Sequence, residues 1–192
     1  MRGAEAIVSK GILIGRACAV KSRIAKKYRV RELDEKLRIE RTRSEARLLH
    51  KAKLAGVDCP TVLEAGEFSI TMSFVEGQRP KMSERQCIDA GKILAKLHAS
   101  DIIHGDYTPA NLIENKEQRA NEKLFVIDFG LGFISNDVED KAVDVFTMLR
   151  ALGENRGTEA KDAFISGYKS YEKSHAVLER VKVVESRVRY AV

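Results

Sequence analysis

The chain has 192 residues, 44% of them hydrophobic, with 34 Lys or Arg against 28 Asp or Glu and a net charge of +6. That length can bury roughly 70% of its unfolded surface, in one good core or two small lobes, under a heavily charged exterior. No apolar run approaches the roughly 18 residues of a membrane span, no signal-peptide core is present, and Cys18, Cys59 and Cys87 lack zinc-ligand spacing; these features exclude a membrane protein and a disulfide scaffold and predict a cytoplasmic chain with free thiols.

In chain order, residues 4–9 and 11–21 are predicted to be short strands, rich in β-branched residues and punctuated by Gly11 and Gly15. A long helix follows over 33–54, with Leu33, Leu37, Leu48, Leu49 and Ala52 as its apolar stripe and Gly56 as its stop. Segments 62–65 and 68–75 are predicted strands, and 76–80 is a linker. Beyond it, Ser83 with Gln86 three residues on forms a capping-box pattern opening a helix that runs to His98. A loop around Asp106, a strand over 123–128 and helices over 137–152, 158–173 and 174–189 complete the chain. The fold class is α+β: a β-rich N-lobe with one long helix over 1–77, then a short, mainly helical C-lobe over 78–192.

Charge is not spread evenly. Residues 21–55 hold thirteen Lys or Arg less five acids, a net of +8. This is either a solvated helix face or a surface for RNA or an acidic protein.

The most informative stretch is His104-Gly105-Asp106 with Asn111 five residues after the Asp, followed by a hydrophobic strand ending in Asp128-Phe129-Gly130. Phosphoryl transfer needs an acceptor to be positioned and charge on the phosphates to be neutralised. Asp106 is the candidate base, while Asn111 and Asp128 are the candidate Mg2+ ligands. Taken singly, an Asp in a loop is usually a turn or capping residue; together and in this order they predict a minimal bilobal protein-kinase-like fold using ATP.

Lys21, at the end of the run Ala17-Cys18-Ala19-Val20, is placed to pair with the α- and β-phosphates. Glu45 in the long helix is the candidate to hold it, with Glu40 as competitor. The phosphate loop is poorly developed: Gly3, Ala4, Glu5 and Ala6, running into Ile7 and Val8, offer one glycine, and no Walker motif exists. Met72, Ser73 and Val75, next to the linker, are candidates for the adenine edge.

On these residues, and on Tyr28-Arg29, Leu33-Asp34-Glu35-Lys36-Leu37-Arg38, Arg41-Thr42-Arg43-Ser44-Glu45-Ala46-Arg47 and Glu139-Asp140-Lys141-Ala142-Val143-Asp144, nearly the whole chain resembles the small atypical protein kinases of the KEOPS complex, relatives of the RIO kinases. The resemblance implies a Mg2+-dependent ATPase and serine/threonine kinase, chiefly autophosphorylating, that binds the tRNA-modifying ATPase subunit of KEOPS. It also implies that the basic helix and the C-terminal tail face that partner or tRNA. In some archaea the two proteins are one chain, and the short leader before Gly3 fits a free-standing form or an excised domain.

The chain departs from its pattern in three places. Of the basic tail only Arg187 and Arg189 are present. Thr108 stands where most protein kinases have Lys, which predicts slow transfer. No Ala-Pro-Glu follows Asp128, so no peptide-docking segment is expected, and Asp140 and Asp144 are expected to cap and anchor the catalytic loop. The competing reading is a small-molecule phosphotransferase of the aminoglycoside or choline kinase type, which would need a larger C-lobe; a non-enzymatic scaffold is the third.

Overall fold

A computed structural model of the chain describes residues 6–115 and 123–190, without the side chains of 154–156 and 188–190. Gly3, Ala4 and Glu5 therefore lie outside the described residues, as does the side chain of Arg189.

The first half is a four-stranded antiparallel sheet in the order β1-β2-β4-β3, formed by β1 (Ala6–Leu13), β2 (Arg16–Arg23), β3 (Val62–Ala65) and β4 (Ser69–Ser73). The expected break near Gly11 is absent. Gly11 pairs with Cys18 inside β1–β2, and the chain turns instead at Ile14 (φ 49) and Gly15 (φ 71). Two consecutive positive φ values are what a two-residue hairpin turn requires, because that twist matches the strands on either side. The run Ile12-Leu13-Ile14 hid this turn, since β-branched residues seldom adopt that conformation.

Helix α1 (Arg31–Leu54) covers the sheet. Its C-terminal turns bury Leu48, Leu49 and Ala52 as expected, but Leu33 is 52% exposed and Leu37 only half-buried. Polar groups take the inner face of the first turns instead. Asp34, 3% exposed, accepts hydrogen bonds from Lys26 N–H (3.2 Å) and Arg38 Nε (2.7 Å) and lies 3.8 Å from Arg29. This carboxylate stands near the helix N-terminus, where negative charge is favoured, and Val30 at the N-cap provides no side-chain cap.

The second half is built on α2 (Glu84–Ala99), opened by the predicted capping box of Ser83 and Gln86. It packs on α3 (Val138–Tyr168), which breaks at Gly157 (φ 75), and α3 in turn packs on α4 (Ser174–Tyr190). The α2–α3 crossing is tight because it is made of glycine. A Cβ on Gly91 would collide with the backbone of Phe164, and one on Gly167 with that of Ile88. Two glycines thus let the backbones approach, and Leu94, Leu97, Phe164 and Tyr168 close the core around them, each at most 1% exposed. Burying each Leu contributes roughly 1.5–3 kcal/mol.

Short pairings finish the architecture: β5 (Ile102–Ile103) with β8 (Phe133–Ile134), and β6 (Leu112–Asn115) with β7 (Lys123–Val126). The segment joining the halves is tied down by Gln78, whose main chain bridges to Glu114 and whose amide donates to the Glu114 carboxylate; Gln86 donates to its other oxygen. Cys18, Cys59 and Cys87 are buried and unbridged, and burial pushes the Cys59 thiol up to about 11. Among the described residues no helix is long and apolar enough to cross a membrane.

Candidate active site

Side chains alternate faces along a strand, so Lys21 and Arg23 leave β2 on the same side. Both are 7% exposed and both reach Glu45 of α1. Lys21 Nζ donates to Glu45 Oε1 at 2.6 Å, and Arg23 Nη2 donates to Oε2 at 2.6 Å. Glu45 is 1% exposed, whereas Glu40 is exposed on the outer face of α1. Lys21 Nζ donates as well to Asp128 Oδ1 at 2.6 Å. The result is a chain of alternating charge, Arg23–Glu45–Lys21–Asp128, with two cations and two carboxylates. Balance of this kind is what makes burial tolerable, since an unpaired buried charge would cost several kcal/mol.

Asp128 follows β7 with φ 62, a conformation that Asp tolerates better than most residues. Its carboxylate also accepts from Gly130 N–H at 3.1 Å. Burial works to raise its pKa, but the Lys21 charge and these hydrogen bonds win and hold it below the usual carboxylate value. Asn111 is brought to the same place by the β6–β7 pair: Leu112 lies opposite Val126, and Ile127 N–H donates to Asn111 O at 3.0 Å, one step further along the ladder. Asn111 Nδ2 donates to Asp106 O (2.8 Å) and Asp106 Oδ2 (2.9 Å). Lys21, Glu45, Asp106, Asn111 and Asp128, drawn from four separate stretches of the chain, are therefore linked in one set, Asn111 to Asp128 through the Ile127 main chain.

The Asp106 loop is rigid because its neighbours are pinned. Asp144, 1% exposed in α3, accepts from His104 N–H at 2.6 Å and Gly105 N–H at 2.8 Å. His104 is fully buried, with Nε2 on Ile127 O (3.1 Å) and Nδ1 accepting from Asp106 N–H (3.3 Å). Tyr107 points inward and donates to Ala90 O at 2.8 Å. Between these anchors Asp106 faces outward, exposed. The sequence indicated Asp140 and Asp144 as capping and anchoring this loop, and Asp144 makes both of the bonds to His104 and Gly105; helix α3 itself is capped by Asp137, which accepts from Glu139 N–H.

Two residues of the site went unseen in the sequence. Arg23 looked like one more cation in a basic segment, although its i, i+2 spacing from Lys21 placed it on the same face. His98 lies 2.7 Å from the Tyr168 hydroxyl and 3.4 Å from Asp144. Burial lowers the pKa of both His98 and His104 below the ordinary 6.5. The unfolded chain then binds protons that the folded chain refuses, so this stability is present above pH 6.5 and drains away as pH falls below it, at up to about 1.4 kcal/mol per pH unit for each imidazole. Thermal melts are expected to show a falling Tm between pH 6.5 and 5, before the carboxylates titrate; a flat profile there would refute neutral burial of the two rings.

Of the remaining predicted residues, Ala6, Ile7 and Val8 open β1, and Val8 pairs with Lys21. Met72 and Ser73 end β4. Ser73 spends its N–H on Thr61 O and its hydroxyl oxygen on Thr61 N–H, so its donor serves the sheet; Val75 lies in the exit from the sheet. Thr108 precedes the 3-10 turn Pro109–Asn111 without capping it through its side chain. Arg187 donates to Glu139 across α3 and α4.

Among the described residues no cluster of three His, Cys, Asp or Glu forms a ready-made metal cage. An oxygen-only pair such as Asn111 and Asp128 fits Mg2+, a hard cation usually held by one or two carboxylates together with substrate phosphates.

No family model matches the chain. It is 44% identical over 176 residues to a probable serine/threonine-protein kinase BUD32 homolog of Archaeoglobus fulgidus, covering 89% of this chain and 87% of that one. It is 39% and 40% identical to probable bifunctional tRNA threonylcarbamoyladenosine biosynthesis proteins of Methanococcus maripaludis and Methanosarcina mazei, covering 98% of this chain. The chain spans about a third of the length of these bifunctional relatives, 35% of each. Among solved structures, the Rio2 kinase from Chaetomium thermophilum in its ADP/Mg2+-phosphoaspartate complex shares the fold, with a TM-score of 0.66 over 99% of this chain and 69% of that one at 18% identity.

Proposed function

The chain belongs to the BUD32 family of serine/threonine-protein kinases, and from that premise we propose that it acts as an ATP- and Mg2+-dependent atypical kinase and ATPase, the regulatory subunit of the KEOPS complex in tRNA threonylcarbamoyladenosine modification. The observation that carries this reading is the connected set in which Lys21 spans Glu45 and Asp128 while Asn111 joins Asp106 to the β6–β7 ladder. The division falls at residues 77 and 78, with nucleotide held between the two lobes.

Mg2+, when bound, would neutralise charge on the phosphates and fix their geometry. Asp128 and Asn111 would hold it. Lys21, kept in place by Glu45, would meet the α- and β-phosphates, and the backbone at Ala6 to Val8 beside it would line their path. The adenine edge would fall to Val75 and its neighbours, with Met72 beneath. Asp106 would take the proton of a serine or threonine hydroxyl, or orient water when no hydroxyl is present. Thr108 provides no cation for the γ-phosphate, which supports slow transfer.

The partner would be the tRNA-modifying ATPase subunit, in a cytoplasmic setting. Segment 21–55 would face tRNA or that partner, with Arg187 and Arg189 as a lesser contribution. Nothing in the site favours an aminoglycoside or choline acceptor.

The test is ATP turnover of the chain, alone and with the tRNA-modifying subunit and tRNA. Mg2+-dependent hydrolysis that responds to the subunit, together with phosphate on the chain's own Ser or Thr, is the expected result. Rapid phosphorylation of choline or an aminoglycoside, or no Mg2+-dependent turnover in any combination, would overturn the assignment.

A further inference from the structure

Lys21 has two carboxylates at equal reach, Glu45 Oε1 and Asp128 Oδ1, each at 2.6 Å. In the proposed reaction Lys21 leaves Asp128 to the metal and turns to the phosphates while Glu45 keeps its place. Whatever fixes Glu45 therefore decides how well Lys21 is aimed, since a reactive group is only as well placed as the side chains that lock it.

Arg23 does this from the strand that carries Lys21. The two side chains leave β2 on one face, roughly 6.6 Å apart along the strand. They take one oxygen each of the same carboxylate, Lys21 Nζ on Oε1 and Arg23 Nη2 on Oε2. Gripped at both oxygens by groups of fixed spacing, the Glu45 carboxylate is not free to rotate. Arg23 Nη2 also reaches the Arg41 carbonyl oxygen at 3.4 Å, about one helical turn before Glu45. One buried guanidinium thus ties both the main chain and the side chain of α1 to β2.

The same group borders the Asp128-Phe129-Gly130 segment. A Cβ on Gly130 would lie 3.0 Å from Asp128 Oδ1, 3.4 Å from Lys21 Nζ and 3.6 Å from Arg23 Nη2, so this glycine packs directly on the charge chain. Burying Arg23, Glu45 and Lys21 in a row adds little stability that apolar packing would not add as well. Placement accounts for the arrangement better, because each member holds its neighbour in one geometry.

We propose that Arg23 is a positioning residue for phosphoryl transfer: it locks Glu45 through Oε2 and the Arg41 carbonyl, so that Lys21 keeps its aim when Asp128 turns to the metal. The inference rests on the proposed kinase and ATPase reading and adds to it a residue that touches neither nucleotide nor metal. Without Arg23, Glu45 turns away and Lys21 stays with Asp128, on an oxygen that the metal needs.

The test compares Arg23→Lys and Arg23→Met with the wild-type chain, all with the tRNA-modifying subunit present. Val177→Ala serves as a destabilised reference, because Val177 is fully buried in α4 and has no part in the site. Turnover at saturating ATP, KM for ATP, affinity for a fluorescent ADP analogue, Mg2+ dependence and melting temperature are read for each. Arg23→Lys keeps the charge but loses the planar guanidinium. It should therefore recover most of the melting temperature lost in Arg23→Met without recovering the rate. Turnover is expected to fall about a hundredfold in both, the effect of a misplacement of about 1 Å, with KM and ADP affinity within about threefold of wild type. The Mg2+ concentration for half-maximal rate should rise.

If Arg23→Lys turns over ATP at the wild-type rate, Arg23 is only a compensating charge and the proposal is overturned. It is overturned equally if KM and ADP affinity worsen as much as turnover, since Arg23 would then hold the nucleotide itself. Loss of activity only in step with the unfolded fraction, as in Val177→Ala, overturns it too. In all three cases the phosphotransfer reading stands. A wild-type chain without Mg2+-dependent turnover in any combination would remove both.

Discussion

Asp128→Ala is expected to lower Mg2+-dependent ATP turnover by about a thousandfold and to leave the chain folded. The activity estimate follows from position. Asp128 is the one carboxylate aligned with Asn111 by the β6–β7 ladder, and removing a group that stabilises charge in the transition state typically costs a factor of about 10² to 10³. The folding estimate follows from exposure: the Asp128 side chain is half in water, so its pair with Lys21 contributes on the order of 1 kcal/mol or less. Lys21 keeps Glu45 when Asp128 is gone. Phosphate release in single-turnover conditions measures the first effect and a urea transition the second. Unchanged turnover would show that the metal is held elsewhere and would remove the mechanism proposed here.

Glu45→Ala has the opposite profile, with stability the larger loss. One carboxylate serves two cations that are each 7% exposed, and deleting it takes a buried partner from both. Breaking a buried ion pair by removing one partner costs about 3–5 kcal/mol, a large fraction of what holds a domain of this size together. Asp128 retains Lys21, so the loss falls chiefly on Arg23. Denaturant midpoints should therefore rank wild type above Glu45→Gln, which keeps an acceptor, and both above Glu45→Ala. Glu40→Ala, on the exposed face of the same helix, should lie within about 0.5 kcal/mol of wild type. If Glu40→Ala and Glu45→Ala destabilise equally, the buried charge chain is not what holds α1 against the sheet.

Much of this site was legible in the sequence because its signals are local. His104-Gly105-Asp106 and Asn111 stand within eight positions, Asp128 ends a hydrophobic strand, and the capping box of Ser83 and Gln86 is a short-range pattern with a mechanical meaning. The choice of Glu45 over Glu40 was legible too, because only one of the two shares a helix face with Leu48, Leu49 and Ala52. What escaped was non-local. Strands β5 and β8 are two residues each and exist only because they pair across thirty positions, so no periodicity announces them. The inner face of the first turns of α1 is polar, around Asp34, and a reading that looks for apolar stripes assigns Leu33 to it instead. Arg23 was hidden by abundance: in a segment with thirteen basic residues, burial and not composition shows that it joins Lys21 in holding Glu45.

The buried thiols have a practical consequence. Cys18, Cys59 and Cys87 are all shielded from solvent, and thiol reagents attack the thiolate, which the raised pKa of Cys59 suppresses further. The native chain is accordingly a quiet background for site-directed labelling. A cysteine introduced at exposed Ile12, on the hairpin, would be the fast-reacting thiol of the molecule. A fluorophore carried there could report movement of the sheet over the helical half in real time, with the three native cysteines left in place.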